Sequence, residues 1–409
     1  MASSLRILWV KSGPLFPLNT GGRRRTHAML TELARDHDVT WLAGLPEGLQ
    51  LDSREEPDAY ADRKLWIRTR ESEKGSAKFL VDVGKNLVSR FPYVLDRYRN
   101  TEIQEKLREL DQSGELDLII CDFLTPAVHF EGWNPRTPTI LFQHNVESQI
   151  WKRLAEEKSN PLARVYFHNQ YRRMWKAEKE LSARFDGVIT VSPEDAAFCE
   201  SEYGLSNVLG PVPTGVNTEF FQPPENRKPE SGLIGFLGSM DWMPNIECVQ
   251  FLVREIFPRI LERHPAARFR IIGRDPAPAV RQLAAENPAV EVTGTVDDVR
   301  PHLDACELLV VPLRSGGGTR IKIFEAMAQG VPVVSTTIGA EGLPVTDGRD
   351  ILIADEANAF ADAVIRLLDN PALAAELSGN ARSKLVADHS WESVTRQFVE
   401  LCRNVSPAT

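Results

Sequence analysis

A chain of 409 residues exceeds what one hydrophobic core usually serves, so its length predicts two domains. Its composition, 42% hydrophobic and 26% charged residues, is ordinary for a soluble globular enzyme. The 48 basic and 57 acidic residues give a formal net charge of −9, which argues against nucleic acid as a partner and leaves local basic clusters as places for anionic ligands.

The ends of the chain and its cysteines bear on cellular location. The first residues, MASSLRILWVKSG, lack the basic and long apolar segments of a secretory signal. No apolar run approaches the roughly 18 residues of a membrane-spanning helix. The five cysteines are odd in number and widely spaced, and predict buried thiols in a reducing compartment. We therefore expect a cytoplasmic protein whose membrane contact, if it has one, is peripheral.

Apolar, β-rich runs alternate with helical stretches along the first half of the chain. These runs are LRILWV from residue 5, DVTWLAG from 38, LDLIICD from 116, TPTILFQH from 137 and FDGVITVS from 185. Continuous apolar strands between amphipathic helices predict a parallel sheet covered on both faces.

A second series of such runs follows a break rich in Pro, Glu and Asn at residues 221–232. The runs are GLIGFLG from 232, ARFRIIG from 267, AVEVTG from 289, ELLVVPL from 307, GVPVVST from 330 and DILIAD from 350. The break predicts a linker between two doubly wound α/β domains, residues 1–220 and 232–390. We expect the last segment, 391–409, to form a helix that crosses back to the first domain.

The stretch PLRSGGGTRIKIFEAMAQGVPVVST, residues 312–336, reads as strand, glycine-rich loop and helix. Its helix should run about three turns and end at Gly330. Ligands bind such sheets beyond the carboxyl ends of the strands, and two facing domains form a cleft there. Gly316, Gly317 and Gly318 let a ligand reach the backbone, and the free amides of the helix start favour an anion.

Charged side chains at the start of this helix indicate which kind of anion would bind. Arg320 and Lys322 can hold a diphosphate and neutralise it as it leaves, whereas the two oxygens of Glu325 suit a ribose diol. With Thr319 and the three glycines, the stretch predicts a site for a nucleoside diphosphate. The alternative is an ordinary glycine-rich loop in which Glu325 pairs with Lys322 on a solvated face. A P-loop motif is absent.

Two further positions follow predicted strands of the first domain. His144 ends the run TPTILFQH and should project from a carboxyl end toward the cleft; alternatively it bonds to backbone beside Asn145. Gly21 and Gly22 precede three arginines, and predict a loop where a donor or acceptor phosphate approaches the backbone. Otherwise these glycines make a turn and most of the arginines are solvated.

Residues 61–100 carry ten basic and five acidic side chains, a local net charge of +5 in an acidic protein. Interleaved apolar residues could place an amphipathic surface on anionic lipid, beside a lipid-linked acceptor. Alternatively, the same residues are consistent with a core-facing helix whose basic face is solvated. The pair Asp297–Asp298 precedes a helix and is interpreted as helix capping, so we predict no metal site.

The segment EAMAQGVPVVSTTIGAEGL, residues 325–343, resembles the nucleotide-sugar segment of the retaining glycosyltransferases of family 4, which have the GT-B fold of two facing Rossmann-like domains. Other segments resemble the family in its own order. They are GGRRRTHAMLTELARDHDVTWL from 21, LFQHNVES from 141, FDGVITVSPED from 185, PVPTGVNTEFF from 211, LIGFLGSMDWMPN from 233 and DHSWESV from 388. The resemblance covers nearly the whole chain, but residues 50–110 match only loosely.

Two departures from the family pattern concern the donor site. The family has two glutamates separated by seven residues, and Gly317 stands where the first should be. Many members also carry Arg and Lys after the first donor-domain strand, whereas this chain has Ser239, Met240 and Asp241. We therefore expect Arg320 and Lys322 to bind more of the diphosphate.

The resemblance implies a retaining hexosyltransferase that needs no cofactor beyond its nucleotide-diphosphate sugar co-substrate. Because no His, Cys or acid cluster has metal-ligand spacing, we expect metal-independent catalysis. His144, Arg320 and Lys322 would be catalytic, with the neutral His144 ring donating to a sugar hydroxyl or stabilising developing charge. The acceptor would be a sugar or a lipid-linked sugar in cell-surface polysaccharide or glycolipid synthesis. A nucleotide-sugar epimerase of the same fold and a non-catalytic nucleotide-sugar binding protein remain alternatives.

Overall fold

A computed structural model describes residues 3–18, 20–49, 60–70, 76–86, 89–156, 160–315 and 320–405. The chain divides into two units, Met1–Pro213 with Val394–Thr409 and Thr214–Ser393. This division precedes the predicted domain end at residue 220. Residues 214–220 lie in the second unit because Val216 is buried in its core and pairs with Ser390.

The first unit is built on a parallel sheet. Its strands are β1 (Arg6–Lys11), β2 (Asp38–Pro46), β3 (Arg63–Thr69), β4 (Leu118–Asp122), β5 (Thr139–Phe142), β6 (Gly187–Thr190) and β7 (Val208–Pro211). They lie in the order β3-β2-β1-β4-β5-β6-β7. The two edge strands, β3 and β7, were not predicted, because their residues are mostly half-buried and form no continuous apolar run.

Helices connect these strands on both faces of the sheet. They are α1 (Gly21–Asp36), α2 (Ala77–Asn86), α3 (Tyr93–Asp96), α4 (Thr101–Gln112), α5 (Glu147–Glu156), α6 (Pro161–Ser182) and α7 (Pro193–Ser201), with a 3₁₀ turn at Pro126–Phe130. Alternate residues of β1 face opposite sides of the sheet. Leu8 and Val10 join the buried cluster that includes residues of α4 and α6, whereas Trp9 faces the other side.

The second unit has a parallel sheet at the six predicted runs. Its strands are β8 (Leu233–Leu237), β9 (Arg268–Ile272), β10 (Val290–Gly294), β11 (Leu308–Val311), β12 (Val333–Ser335) and β13 (Leu352–Ile353). They lie in the order β10-β9-β8-β11-β12-β13, so the α/β class predicted from the sequence is confirmed.

The helices of this unit cover its sheet and include one wide turn. They are α8 (Met243–Phe251), a π-helical turn (Leu252–Ile256), α9 (Phe257–Arg263), α10 (Pro278–Glu286), α11 (Arg300–Ala305), α12 (Ile321–Ala328), α13 (Ala357–Asp369) and α14 (Pro371–Asp388). The helix α12 has eight residues rather than the predicted three turns, because Arg320 precedes it in a non-helical conformation. Gly330 adopts a φ of +71° after its end, as expected of a helix C-terminus.

The last helix, α15 (Trp391–Arg403), joins the first unit from Val394 onward. The ring of Phe398 lies 5.8 Å from Trp9 and 5.0 Å from Phe142, measured between centroids. Arg403 donates to the Ser3 carbonyl at 2.7 Å. These contacts cover the face of β1 that α4 and α6 leave uncovered.

The basic segment 61–100 differs from the interpretation as one core-facing helix, whereas the predicted amphipathic surface for anionic lipid stays a prediction. The segment contains the edge strand β3 and two helices, α2 and α3. The central residues of β3 are all half-buried, as an edge strand requires, whereas a helix would bury one stripe. Its basic residues are therefore spread over several elements.

Candidate functional site

Polar side chains gather at the carboxyl ends of the strands in the first unit. Lys11 ends β1, Asp122 ends β4, and His144 follows β5 by two residues. Because all these strands are parallel, their carboxyl ends share one edge of the sheet, where ligands of such folds bind.

Asp122 is the centre of this group and is fully buried. Its Oδ2 accepts hydrogen bonds from Lys11 Nζ at 2.7 Å, Thr26 Oγ1 at 2.6 Å and Trp9 Nε1 at 3.0 Å, and its Oδ1 lies 2.8 Å from His144 Nε2. Burial opposes ionisation of Asp122, but Lys11 and His144 together hold the pKa of this carboxyl well below its usual range. Asp122 is therefore a carboxylate, and Lys11 balances its charge.

The position of His144 beside this carboxylate determines its protonation. Burial lowers the pKa of His144 to about 4, although Asp122 opposes the shift, so the ring is neutral near pH 7. Because ionised Asp122 can only accept, the ring proton belongs on Nε2 and the Nδ1 lone pair is an acceptor. The ring is stacked on Phe123 at a centroid distance of 3.9 Å. It is thus a fixed hydrogen-bond acceptor.

The contact with Asp122 bears on two sequence interpretations of His144. It favours a neutral ring whose single N–H faces the carboxylate, and donation from the ring to a sugar hydroxyl stays a prediction. The alternative of a backbone-bonded histidine beside Asn145 is replaced by the contact with a carboxylate. Stabilisation of developing positive charge remains open to the ring, since the carboxylate makes Nδ1 more electron-rich.

Gly22, the second glycine of the pair at the start of α1, has a packing role. A Cβ atom on Gly22 would lie 2.6 Å from Phe123 Cζ, so the Phe123 ring requires a glycine there. Phe123 itself has a φ of +78°, which is strained for an aromatic residue. The backbone at Gly22 therefore packs against Phe123, a side chain of the same unit. A donor-binding role for Gly21 and Gly22 stays a prediction.

The three arginines that follow are not equivalent. Arg23 donates to the Pro17 carbonyl at 3.1 Å and Arg24 to the Leu18 carbonyl at 3.0 Å. Arg25, by contrast, is only 5% exposed, and burial lowers its pKa to about 10. Arg25 is therefore the one arginine of the three that is buried.

A second buried carboxylate organises the turn after His144. Glu178 on α6 accepts from the backbone N–H groups of Glu147 and Ser148, each at 2.8 Å, and from the Tyr203 hydroxyl at 2.6 Å. It thereby satisfies the free amides at the start of α5. Burial, together with the charge of Glu178, raises the pKa of Glu147 to about 7.

In the second unit, Lys322 lies in the first turn of α12. Its Nζ donates to Asn245 Oδ1 at 2.9 Å and lies 4.3 Å from the centroid of the Phe236 ring. A Cβ on Gly238 would come within 2.8 Å of this Nζ, so the glycine after β8 makes room for the ammonium. Burial lowers the pKa of Lys322 to about 8. The sequence alternative, pairing with Glu325, is replaced by a neutral amide partner.

Arg320, immediately before α12, is 4% exposed, and burial lowers its pKa. Its charge also contributes to the lowered pKa of Lys322, after the larger effect of burial, so the two predicted cations are brought together. Glu325 is half-buried on the same helix. Gly316, Gly317, Gly318 and Thr319 lie outside the described residues, and their donor-binding role stays a prediction.

Sequence reasoning missed several residues at these edges. Arg274, two residues after β9, donates from Nε to Ser239 Oγ at 2.9 Å. It brings a guanidinium to the loop after β8, where the chain has Ser-Met-Asp instead of the expected cations. Lys11 and Asp122 were also missed. Their signal was a charged residue ending an apolar run, RILWVK or DLIICD.

Two observations on the described ranges concern metal binding and membrane insertion. These ranges contain no group of three or more His, Cys, Asp and Glu side chains that could hold a metal ion. They also contain no helix with the length and hydropathy needed to cross a membrane. Asp298 accepts from the Arg300 backbone N–H at 2.9 Å at the start of α11, consistent with capping.

Comparison with known families gives two matches. The family model for Glycosyltransferase Family 4 matches residues 19–220, and that for Glycosyl transferases group 1 matches residues 231–370.

Curated relatives resemble parts of the chain. A GDP-mannose-dependent monoacylated alpha-(1-6)-phosphatidylinositol monomannoside mannosyltransferase of Corynebacterium glutamicum is 24% identical over 247 residues, covering 55% of this chain and 64% of that enzyme. The lipopolysaccharide core biosynthesis mannosyltransferase LpsB of Rhizobium meliloti is 26% identical over 251 residues, covering 57% and 69%. The match thus spans less than two thirds of the Corynebacterium enzyme.

Among solved structures, sucrose-phosphate synthase from Thermosynechococcus elongatus aligns with a TM-score of 0.68 at 18% identity. The alignment covers 98% of both chains. At this identity the likeness concerns the fold, and it extends over both units.

Proposed function

The chain belongs to glycosyltransferase family 4 and has the GT-B fold, and we propose that it transfers a hexose from a nucleoside-diphosphate donor to a sugar or lipid-linked acceptor. Mannose from GDP-mannose is the first candidate, because both curated relatives described above are named as mannosyltransferases. Synthesis of a cell-surface glycolipid or polysaccharide is the matching process.

The observation that carries this proposal is the environment of Lys322. Its side chain is half-buried, desolvation lowers the pKa of the ammonium, and the described residues give it a neutral amide and an aromatic ring but no ion pair. A desolvated cation without an acid partner binds anions strongly, since its charge is not yet compensated. Arg320 adds a buried cation nearby, so a diphosphate is the anion that fits this pair.

Each residue of the second unit then has a separate role. Arg320 and Lys322 bind the diphosphate and stabilise the charge that builds on it as the glycosidic bond breaks. Glu325 accepts from the ribose hydroxyls. The amides of Gly316, Gly317 and Gly318, with Thr319, complete the anion site. Arg274 is an additional cation for the same loop region.

His144 is assigned to the sugar side of the reaction. The bond that breaks leaves positive charge on the sugar ring, and the electron-rich Nδ1 of a neutral imidazole stabilises it. Asp122 is a positioning residue that keeps the ring in this tautomer. We infer retention of anomeric configuration from the family resemblance, and metal-independent catalysis because side-chain cations serve the diphosphate.

A peripheral membrane contact is a further part of the proposal. Val81 on α2 is 54% exposed and Val165 on α6 is 70% exposed. A hydrogen bond of 2.8 Å from Arg173 to the Asn86 carbonyl joins these two helices. Replacing both valines with aspartate should reduce sedimentation of the protein with anionic phosphatidylglycerol vesicles. Unchanged sedimentation would remove this surface from consideration.

The proposed activity is tested by a donor screen followed by a transfer assay. Thermal shifts with GDP, UDP, ADP and dTDP, each alone and with a hexose attached, identify the donor, because a tight ligand stabilises the folded state. Product formation from that donor, and its anomeric configuration by NMR, then test transfer and retention. Activity should survive excess EDTA. Loss on chelation with recovery on adding Mg²⁺ or Mn²⁺ would exclude the metal-independent mechanism.

Two other outcomes would replace the proposed reaction. Conversion of the nucleotide sugar to its epimer without an acceptor would identify an epimerase. Tight donor binding with no product from any acceptor would identify a binding protein.

A further inference from the structure

Arg25 is a buried cation that the proposed reaction does not yet use. It lies in the first turn of α1 and is 5% exposed. Across the residues that the structure describes, its guanidinium takes part in no hydrogen bond or ion pair, whereas the neighbouring Arg24 donates to a loop carbonyl. A buried charge without a partner is costly, so its retention calls for a ligand that pairs with it.

The position of Arg25 links it to the edge of the sheet where His144 lies. The next residue, Thr26, donates to Asp122 at 2.6 Å, which places this turn of α1 beside the Asp122 carboxylate. Burial lowers the pKa of His144, and the charge of Arg25 adds to that effect despite the opposing charge of Asp122. The charge of Arg25 therefore acts on the His144 ring, which lies beside the same carboxylate.

Two acids, Asp122 and Asp195, act electrostatically on Arg25, and both are occupied by other groups. Asp122 bonds to Lys11, Thr26 and Trp9 and faces His144. Asp195, in the first turn of α7, bonds to Ser192, and burial raises its pKa. Neither forms an ion pair with Arg25. The cation therefore remains available to an anion from outside the protein.

We propose that Arg25 binds an anionic group, a phosphate or a carboxylate, carried by the acceptor. A guanidinium presents paired N–H donors that match both oxyanions, and desolvation strengthens the contact. This inference rests on the proposed function, because it names the substrate class for the acceptor. The donor diphosphate already has Arg320 and Lys322 in the second unit, whereas Arg25 belongs to the unit that carries His144.

A binding experiment tests the anion site without any transfer reaction. Inorganic phosphate and methyl glucuronide are titrated into the wild-type protein, Arg25→Gln, Arg25→Lys and the matched control Arg24→Gln. Arg25→Gln should weaken binding of at least one probe by about tenfold or more, with Arg25→Lys intermediate and Arg24→Gln unchanged. Which probe responds tells phosphate from carboxylate. Equal binding of both probes by wild type and Arg25→Gln would overturn the proposal.

Two controls distinguish this site from a structural arginine and from the donor site. Removing a buried cation that lacks a partner should leave the melting temperature of Arg25→Gln unchanged or higher. A fall of several degrees would show that Arg25 supports the fold, and would overturn the proposal. GDP affinity should be unaffected by Arg25→Gln and lowered by Lys322→Met. A parallel loss of GDP affinity in Arg25→Gln would assign Arg25 to the donor instead.

Transfer assays separate failure of this inference from failure of the proposed function. With a working donor, Arg25→Gln should raise KM for mannose 6-phosphate or methyl glucuronide about tenfold, with kcat and the reaction of neutral methyl mannoside little changed. Equal effects on charged and neutral acceptors would reject the acceptor role of Arg25 while transfer itself stands. Arg25-dependent anion binding in a protein that transfers nothing would reject the proposed function while the anion site stands.

Discussion

Two lysines, one in each unit, lie at the carboxyl edges of the sheets but have different surroundings. Lys11 is buried, whereas Lys322 is half-buried. Lys11 pairs with Asp122 at 2.7 Å, whereas Lys322 has the Asn245 amide at 2.9 Å and the Phe236 ring at 4.3 Å. Burial lowers the pKa of both ammonium groups. Asp122 forms an ion pair with Lys11, whereas no acid of the described residues forms one with Lys322.

This difference distinguishes charges that are paired within the protein, and so fix the geometry of a site, from charges that are available to pair with a bound ligand. The Lys11–Asp122 pair holds His144 in one tautomer and needs nothing from outside. Under the proposals above, Lys322 and Arg25 each bind an anion of a substrate, and neither has an ion pair among the described residues. The two classes should respond in opposite ways to removal of the charge.

Stability measurements give the largest expected contrast. Asp122→Asn leaves Lys11 as a buried cation without its acid, and should lower the free energy of unfolding by about 3–5 kcal/mol. Lys322→Met should leave this free energy unchanged or raise it. Urea unfolding of both variants measures the two values. The double variant Lys11→Met with Asp122→Asn should recover part of the loss. Equal destabilisation by Asp122→Asn and Lys322→Met would end the distinction between the two lysines.

The next effect concerns turnover rather than stability. His144→Ala removes the acceptor that Asp122 orients, and should lower kcat by about 10² while nucleotide affinity stays nearly unchanged. Steady-state kinetics and nucleotide titration measure the two quantities. Near-normal turnover would return His144 to a purely structural role.

A smaller effect is expected for Glu325, because its role is binding. Glu325→Gln keeps the size of the side chain but loses its charge, and should weaken nucleotide binding by about 1–3 kcal/mol. A 2′,3′-dideoxy donor should lose a similar amount with the wild type and little more with the variant, since both changes remove one interaction. A dideoxy penalty of full size in Glu325→Gln would refute the ribose assignment. Lys322→Ala should instead depress turnover.

The smallest effect is a pH dependence of donor binding. The diphosphate of a nucleotide sugar keeps its charge near neutral pH, so the titrating group is Lys322, whose pKa is about 8. Binding favours the protonated ammonium, and affinity should therefore fall as pH rises through this value, by up to about tenfold between about pH 7 and about pH 9. Titrations across this range measure it. In Lys322→Met binding should be weaker and independent of pH, and a slope like that of the wild type would assign the titration elsewhere.

The sequence by itself determined the features that depend on local order. Continuous apolar runs predicted five strands of the first sheet and all six of the second, because most of these strands are buried and leave an unbroken apolar signal. The edge strands β3 and β7 were not predicted, because half-buried strands mix polar with apolar residues and leave no continuous apolar run. The sequence predicted one nucleoside-diphosphate site from Arg320, Lys322 and Glu325 together, because these residues share one loop and helix.

Only the tertiary structure decided which charges are buried and what pairs with them. Lys11 and Asp122 are 111 residues apart, and no periodicity joins them. Arg23, Arg24 and Arg25 are identical letters in a row, yet the packing of α1 exposes Arg24 and withdraws Arg25 from solvent. Periodicity depends on residues that are neighbours along the chain. The desolvation and pairing of a charged side chain depend instead on residues that are distant in sequence and come into contact only in the folded protein.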